Sequence, residues 1–184
     1  LVFMGDGFSA SDVDLSSNQS VLNSRLGQVA QEFRDTLFKF EPYRSLQDRI
    51  NITLIATQSK DSGITKPSLA DGRRDTFFAS TFGGSCLDRV LVVRNARRAL
   101  ELGALVNADA HLIITNSEDH AGQGSFISTA TLGPRRNEIF IHELGHSLAG
   151  LSDGYSYSVR SIQAEIPNEN EKIQNCNDKK YGQM

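Results

Sequence analysis

Of the four histidines in this 184-residue chain, two stand in the run His142-Glu143-Leu144-Gly145-His146. On a helix, positions i and i+4 lie one above the other on the same face, with Cβ atoms about 5–6 Å apart. Two imidazoles at that spacing can share one tetrahedral zinc ion. Glu143, next to the first of them, can reach a water on the metal and act as a general base. A lone helical histidine is more often a packing or surface group, so the weight falls on the residues just beyond this pair. Gly150 is placed to end the helix in a left-handed turn, and Asp153, three residues further on, can swing its carboxylate back toward both rings. Two histidines, one carboxylate and an open fourth position form the ligand set of a catalytic zinc site. The competing third ligand is a glutamate on a following helix, and Glu165, Glu169 and Glu171 are the candidates. Residues 167–178 are polar and rich in asparagine, which suits solvated surface carboxylates better than a helix buried against a metal, so Asp153 is preferred.

The elements that must position this motif follow from periodicity. Leu1-Val2-Phe3-Met4 running into Gly5-Asp6-Gly7 reads as a strand and a turn. Val21, Leu22, Leu26, Val29, Phe33, Leu37 and Phe38 recur at three- and four-residue steps, which predicts one amphipathic helix of about five turns ending before Pro42. Residues 51–57 are β-branched and apolar, a strand pattern, and 59–72 are rich in Gly, Pro, Ser and Asp, a long loop. A short strand is expected at Leu91-Val92-Val93 and a second helix from Asn95 to Val106. Residues 111–116 form the strongest buried strand, with His111 as a packed neutral imidazole at its start. Residues 126–131 alternate as a strand at or near a sheet edge does. The motif helix is expected to begin near Asn137 as its N-cap, with Glu138 in the first turn. Strands and helices alternate without internal repeat or low-complexity tract, which predicts a layered α/β domain.

Bulk composition narrows the partners. A hydrophobic fraction of 39% and a charged fraction of 22% are ordinary for one globular domain with a real core. A net charge of −3 gives no basic field, which argues against nucleic acid and anionic membrane as partners. The longest apolar run outside helices, 109–115, is far too short to span a bilayer. No leader precedes the first strand, so the chain reads as a mature, trimmed or partial one. Cys86 and Cys176 are the two cysteines and can make a single bridge. Asn51-Ile52-Thr53 and Asn18-Gln19-Ser20 match the glycosylation pattern. Together with a protease-like motif, these features favour a secreted protein.

The run from His142 to Tyr155 resembles the active-site segment of the M64 family, the IgA peptidase-like zinc metallopeptidases. Gly5-Asp6-Gly7-Phe8, Ser62-Gly63-Ile64, Asp75-Thr76-Phe77-Phe78 and Thr115-Asn116-Ser117 resemble that family as well. The match runs in patches over residues 1–155, with 156–184 as a C-terminal extension of a single 1–184 catalytic domain. The resemblance implies a zincin-like, metzincin-like fold: an α/β layered domain with a twisted mixed sheet, a substrate-aligning edge strand and an HExxH active-site helix. It implies Zn2+ as cofactor, His142, His146 and Asp153 as ligands, Glu143 as base, and a protein or peptide as substrate. One position departs from the family pattern: Gly154 stands where the family carries a glutamate, a side chain able to orient a ligand from outside the first shell. The resemblance also leaves Cys176 a place in a family-variable disulfide.

The chemistry so implied is hydrolysis of a peptide bond by metal-activated water, with Glu143 moving the proton from water to the leaving amine. Tyr155, Tyr157 and His120 are candidates for contacts to substrate or transition state, each with a purely structural alternative. Two other functions stay open on the sequence. One is a catalytically silent zinc-binding or recognition module on the same fold, and the intact Glu143 argues against it. The other is a zinc amidase acting on a non-peptide amide. Oligomeric state and substrate identity are not encoded in any motif of the chain.

Overall fold

The computed structural model of the protein describes residues 1–84 and 90–153. At its centre is a five-stranded sheet in the order β2 (Thr53–Ile55), β1 (Val2–Asp6), β5 (His111–Thr115), β7 (Ser128–Thr131), β6 (Gly122–Gln123). The first four strands are parallel, and β6 closes the sheet antiparallel to β7. Every residue of β1, β5 and β7 is buried, as expected of inner parallel strands covered on both faces. A two-stranded ribbon, β3 (Ser80–Thr81) with β4 (Val92–Val93), lies outside this sheet.

Side-chain alternation along the strands separates two cores. Phe3, Leu112, Ile114 and Ala130 point to the face covered by α2 (Arg25–Leu37) and α4 (Arg136–Ala149), where they meet Leu26, Phe33, Phe140 and Leu144. Val2, Met4 and Ile113 point to the opposite face, toward Phe78, Ile127 and Ala99 of α3 (Ala96–Ala104). The chain is therefore a three-layer α/β domain with a mostly parallel mixed sheet. Among the described residues no helix is long and apolar enough to cross a membrane.

Three expectations need correction. The helix expected over 21–38 is two helices, α1 (Asn18–Asn23) and α2, broken at Ser24, whose extended backbone caps α2 through its hydroxyl on the Gly27 amide. A serine that satisfies an orphan amide competes with helix continuation, and the apolar spacing does not register that competition. The motif helix begins at Arg136 rather than being capped by Asn137. Arg135 takes the left-handed cap conformation, and Asn137 sits in the first turn donating to Glu32. The strand expected at 126–131 is shorter, β7 alone, and it lies near the sheet edge as expected, next to the two-residue edge strand β6. Glu138 is in the first turn of α4, as expected.

At the far end of the sheet Asp6 is fully buried and accepts from the amides of Phe78 and Ser80, both at 2.9 Å, and from the hydroxyls of Thr76 and Ser59. Asn116 donates there to the Gly7 carbonyl and to Ser62. The long loop after β2 is thus strapped to the ends of β1 and β5.

The start of α4 is clamped to α2. Arg136 reaches Glu32 with two nitrogens, at 3.1 and 2.7 Å, and Asn137 adds a third bond at 2.7 Å. Hydrogen bonding from Arg136, opposed by partial burial and aided by Asn137, holds the Glu32 carboxyl below its usual range. A lowered folded pKa means the clamp contributes fully above the unfolded carboxylate value of about 4.3 and is lost as pH falls through the folded value. Glu32→Gln is expected to reduce unfolding free energy at neutral pH by about 0.5–1 kcal/mol, the range for a solvent-screened pair. Urea denaturation of both proteins at neutral and acid pH checks this: the gap must close in acid, and a gap that widens there places the stabilisation elsewhere.

Candidate metal centre

Helix α4 places the motif by burying one side of itself. Phe140 stacks on Phe33 with centroids 4.6 Å apart and meets Phe3 edge-on at 5.8 Å, and Leu144 is fully buried one turn later. Residues two apart on a helix point to nearly opposite sides, about 200° around. His142 follows Phe140 by two and His146 follows Leu144 by two, so the core that holds the helix also turns both imidazoles outward. Strand β7 secures the same turn: the Ser128 hydroxyl donates to the Glu143 carbonyl at 2.9 Å and lies 2.5 Å from the Ser147 hydroxyl.

The helix stops at Gly150, whose φ of 63° is left-handed, a conformation glycine adopts without a Cβ penalty. The Gly150 amide bonds back to the His146 carbonyl and the Leu151 amide to that of Gly145. The reversed chain brings Asp153 to the two rings. Its Oδ1 lies 3.1 Å from His142 Nε2 and 3.2 Å from His146 Nε2, and the two Nε2 atoms are 3.1 Å apart. Among the described residues these three form the group of side chains able to share one metal ion.

That triangle fits a tetrahedral ion. Bonds of about 2.0–2.1 Å to nitrogen and carboxylate oxygen require ligand atoms roughly 3.3 Å apart, close to the three separations seen. The proton on His146 supports the same reading. Its Nδ1 lies 2.6 Å from the Leu151 carbonyl, which can only accept, so Nδ1 carries the hydrogen and Nε2 of the neutral ring presents a lone pair. This lone pair faces a carboxylate oxygen, another acceptor. A bound cation, or a second proton on the ring, offsets the pair, and the two imidazoles and one carboxylate are a donor set that zinc accepts. The Leu151 carbonyl, and Asp153 after it, raise the His146 pKa against the opposing effect of burial.

Glu143 lies under the sheet edge. Burial first of all pushes its carboxyl above the usual carboxylate range, and Asp153 adds to that push, while His142, His146 and the Gly124 amide pull it down. The strand over it is bare: a Cβ built at Gly122 would stand 3.0 Å from Glu143 Oε1, and one at Gly124 3.0 Å from Oε2. Gly122, Gly124, Ser128 and the Leu151 carbonyl are site-forming groups that motif reading passes over. The signal that could have found the first two is their i, i+2 spacing, which puts both on one side of an extended segment, although β6 itself ends at Gln123.

The other candidates fall away from the triangle or outside the described residues. His120 is exposed, with Nδ1 3.1 Å from the Pro134 carbonyl near the start of α4. His111 is buried against Gly103, and burial lowers its pKa, in keeping with a neutral packed ring. Gly154, Tyr155, Tyr157, Glu165, Glu169, Glu171, Cys86 and Cys176 lie outside the described residues.

The wild-type protein is expected to bind one divalent transition-metal ion per chain. His146→Ala and Asp153→Ala should each weaken binding by more than the roughly 10–100-fold that loss of an outer-shell partner costs. Calorimetric titration against a competing chelator measures this, and wild-type affinity in Asp153→Ala would move the third ligand elsewhere in the chain.

Compared with known families, the chain matches the profile described as IgA Peptidase M64 over residues 1–177. No curated protein matches it.

Proposed function

This chain belongs to the IgA peptidase M64 family, and we propose that it is a zinc-dependent endopeptidase of zincin-like architecture with Glu143 as its general base. Membership makes the protein a peptidase, with a protein or peptide as substrate. The finer reading is carried by one observation: His142, His146 and Asp153 converge to within 3.2 Å of one another beside the half-buried carboxylate of Glu143.

His142, His146 and Asp153 would hold the zinc, leaving one position of a tetrahedron open. When bound, zinc supplies the Lewis acidity that activates water and polarises a carbonyl. The residues of the chain account for the rest. The Leu151 carbonyl keeps His146 in the tautomer that ligates through Nε2. Glu143, its carboxyl raised by burial, accepts a proton from the attacking water as the new C–O bond forms. It returns that proton to the amine nitrogen as the C–N bond breaks. The outermost strand, β6, is antiparallel to β7 and stands directly over Glu143. Val90 already bridges the outer side of Gly122, so an extended peptide laid alongside would take its main-chain hydrogen bonds from the residues after Gly122. A secreted location belongs to the same reading and is supported by Asn18 and Asn51, both on the surface within glycosylation sequences.

Glu143→Gln is expected to retain one zinc per chain while kcat on an unfolded protein substrate falls by about 10²–10⁴-fold, the usual contribution of a positioned base. Equal turnover in the variant would remove Glu143 from the mechanism. Zinc-loaded wild-type protein that cleaves no unfolded protein would overturn the endopeptidase reading and leave a silent module or a non-peptide amidase.

A further inference from the structure

The β6–β7 hairpin touches Glu143 at three points. Gly122 faces the side chain, where an added Cβ would lie 3.0 Å from both Cγ and Oε1. Gly124 faces the other carboxylate oxygen and the main chain, where an added Cβ would lie 3.0 Å from Oε2 and 2.6 Å from the carbonyl oxygen. Ser128, on the partner strand, donates to that same carbonyl at 2.9 Å. Glycine weakens an edge strand and in return allows another group to approach its backbone closely. Here Gly122 in β6 and Gly124, the residue just after it, both face α4, and the group they admit is the same side chain.

We propose that Gly122 and Gly124 are positioning residues for Glu143: the two missing side chains let the sheet edge close onto the carboxylate and confine it to one rotamer beside the metal ligands. The inference rests on Glu143 being the general base, and it adds a requirement on the strand that the HExxH motif does not contain. The two positions should not respond alike. At Gly122 an added methyl would fall 2.4 Å from Ile139 Cγ2, which hangs from the Cβ of a β-branched helical residue and moves only with its χ1, so the strand yields at Ile139 as well as at Glu143. At Gly124 it would fall 2.6 Å from His146 Cβ as well as from the Glu143 carbonyl, so the strand itself must lift and a metal ligand feels the change. Gly122 is the cleaner probe because no metal ligand is among the atoms that an added methyl there meets first. Gly133 is a matched control: a Cβ there would meet the carbonyls of Glu118 and Asp119 at 2.5 and 2.6 Å, just as tight, but with no contact to Glu143.

The test uses Gly122→Ala, Gly124→Ala and Gly133→Ala in the zinc-loaded and the metal-free protein. For Gly122→Ala, kcat is expected to fall by about 10–100-fold, the cost of a reacting group misplaced by up to an ångström. KM should stay within about threefold and zinc affinity should be unchanged, the pattern of a lost transition-state interaction. Gly124→Ala should lose kcat more severely and weaken zinc binding. Gly133→Ala should lower Tm without altering kcat per folded, zinc-loaded molecule. Side-chain couplings of Glu143 measured by NMR in the metal-free protein should report one rotamer in wild type and in Gly133→Ala, and rotamer averaging or a different rotamer in the other two. Wild-type kcat in Gly122→Ala, or a loss that Gly133→Ala reproduces, overturns the proposal. If zinc-loaded wild type is inactive, the endopeptidase reading fails by itself and the couplings still decide: an unchanged Glu143 rotamer in both variants overturns the positioning role.

Discussion

One helix has to be dry along one side and wet along the other, and the rest of the site depends on that division. In α4, Phe140 and Leu144 fill the space between Phe3, Phe33 and the sheet, and each is followed two residues later by a histidine on the opposite side. Truncating an aromatic such as Phe140 in a packed core costs about 3–5 kcal/mol, so rotation of the helix about its axis is strongly opposed. Polar anchors fix its position along the axis: Glu32 grips the first turn and Ser128 the third. With rotation and translation both blocked, the imidazoles have little freedom left, and most of the ordering entropy of the ligands is met by folding itself.

Glu143 occupies the boundary between the two sides. It follows His142 by one residue, about 100° further around the helix, which leaves it half-buried under the strand edge. A base needs such a place. Full exposure would leave its pKa ordinary, and the core would strip it of its charge altogether. Its surroundings balance these demands, with burial raising the carboxyl pKa while the two imidazoles and the Gly124 amide restrain the rise. The edge strand thus acts on the chemistry as well as closing the sheet.

Much of this was legible in the residues. The i, i+4 histidines, the glycine stop and the carboxylate three residues later are local features, and local geometry is what spacing encodes. The buried strands β1 and β5 were legible because their apolar runs leave no polar face. The break at Ser24 was not, since the apolar period runs straight through it and only the serine hydroxyl distinguishes a cap from a helical turn. The edge strand was missed for a related reason. Gly122 and Gly124 lower strand propensity, so that stretch looks like a loop, and what makes it a strand is its pairing with β7 and its fit against α4. The strap around Asp6 joins patches of sequence 53 to 74 positions apart, a distance over which no periodicity carries information.

The Leu151 carbonyl has a consequence of a different kind. The group that settles which nitrogen of His146 carries hydrogen belongs to the main chain, so every residue type at position 151 supplies it equally. Proton placement at this ligand is therefore insulated from point substitution at that position and vulnerable instead to changes of length. One residue inserted or removed between His146 and Asp153 would shift the carbonyl, the turn and the carboxylate together. At position 151 chain length is a stricter specification than amino-acid identity, whereas Gly150 and Asp153 on either side of it are held to their residue types by backbone conformation and by ligand chemistry.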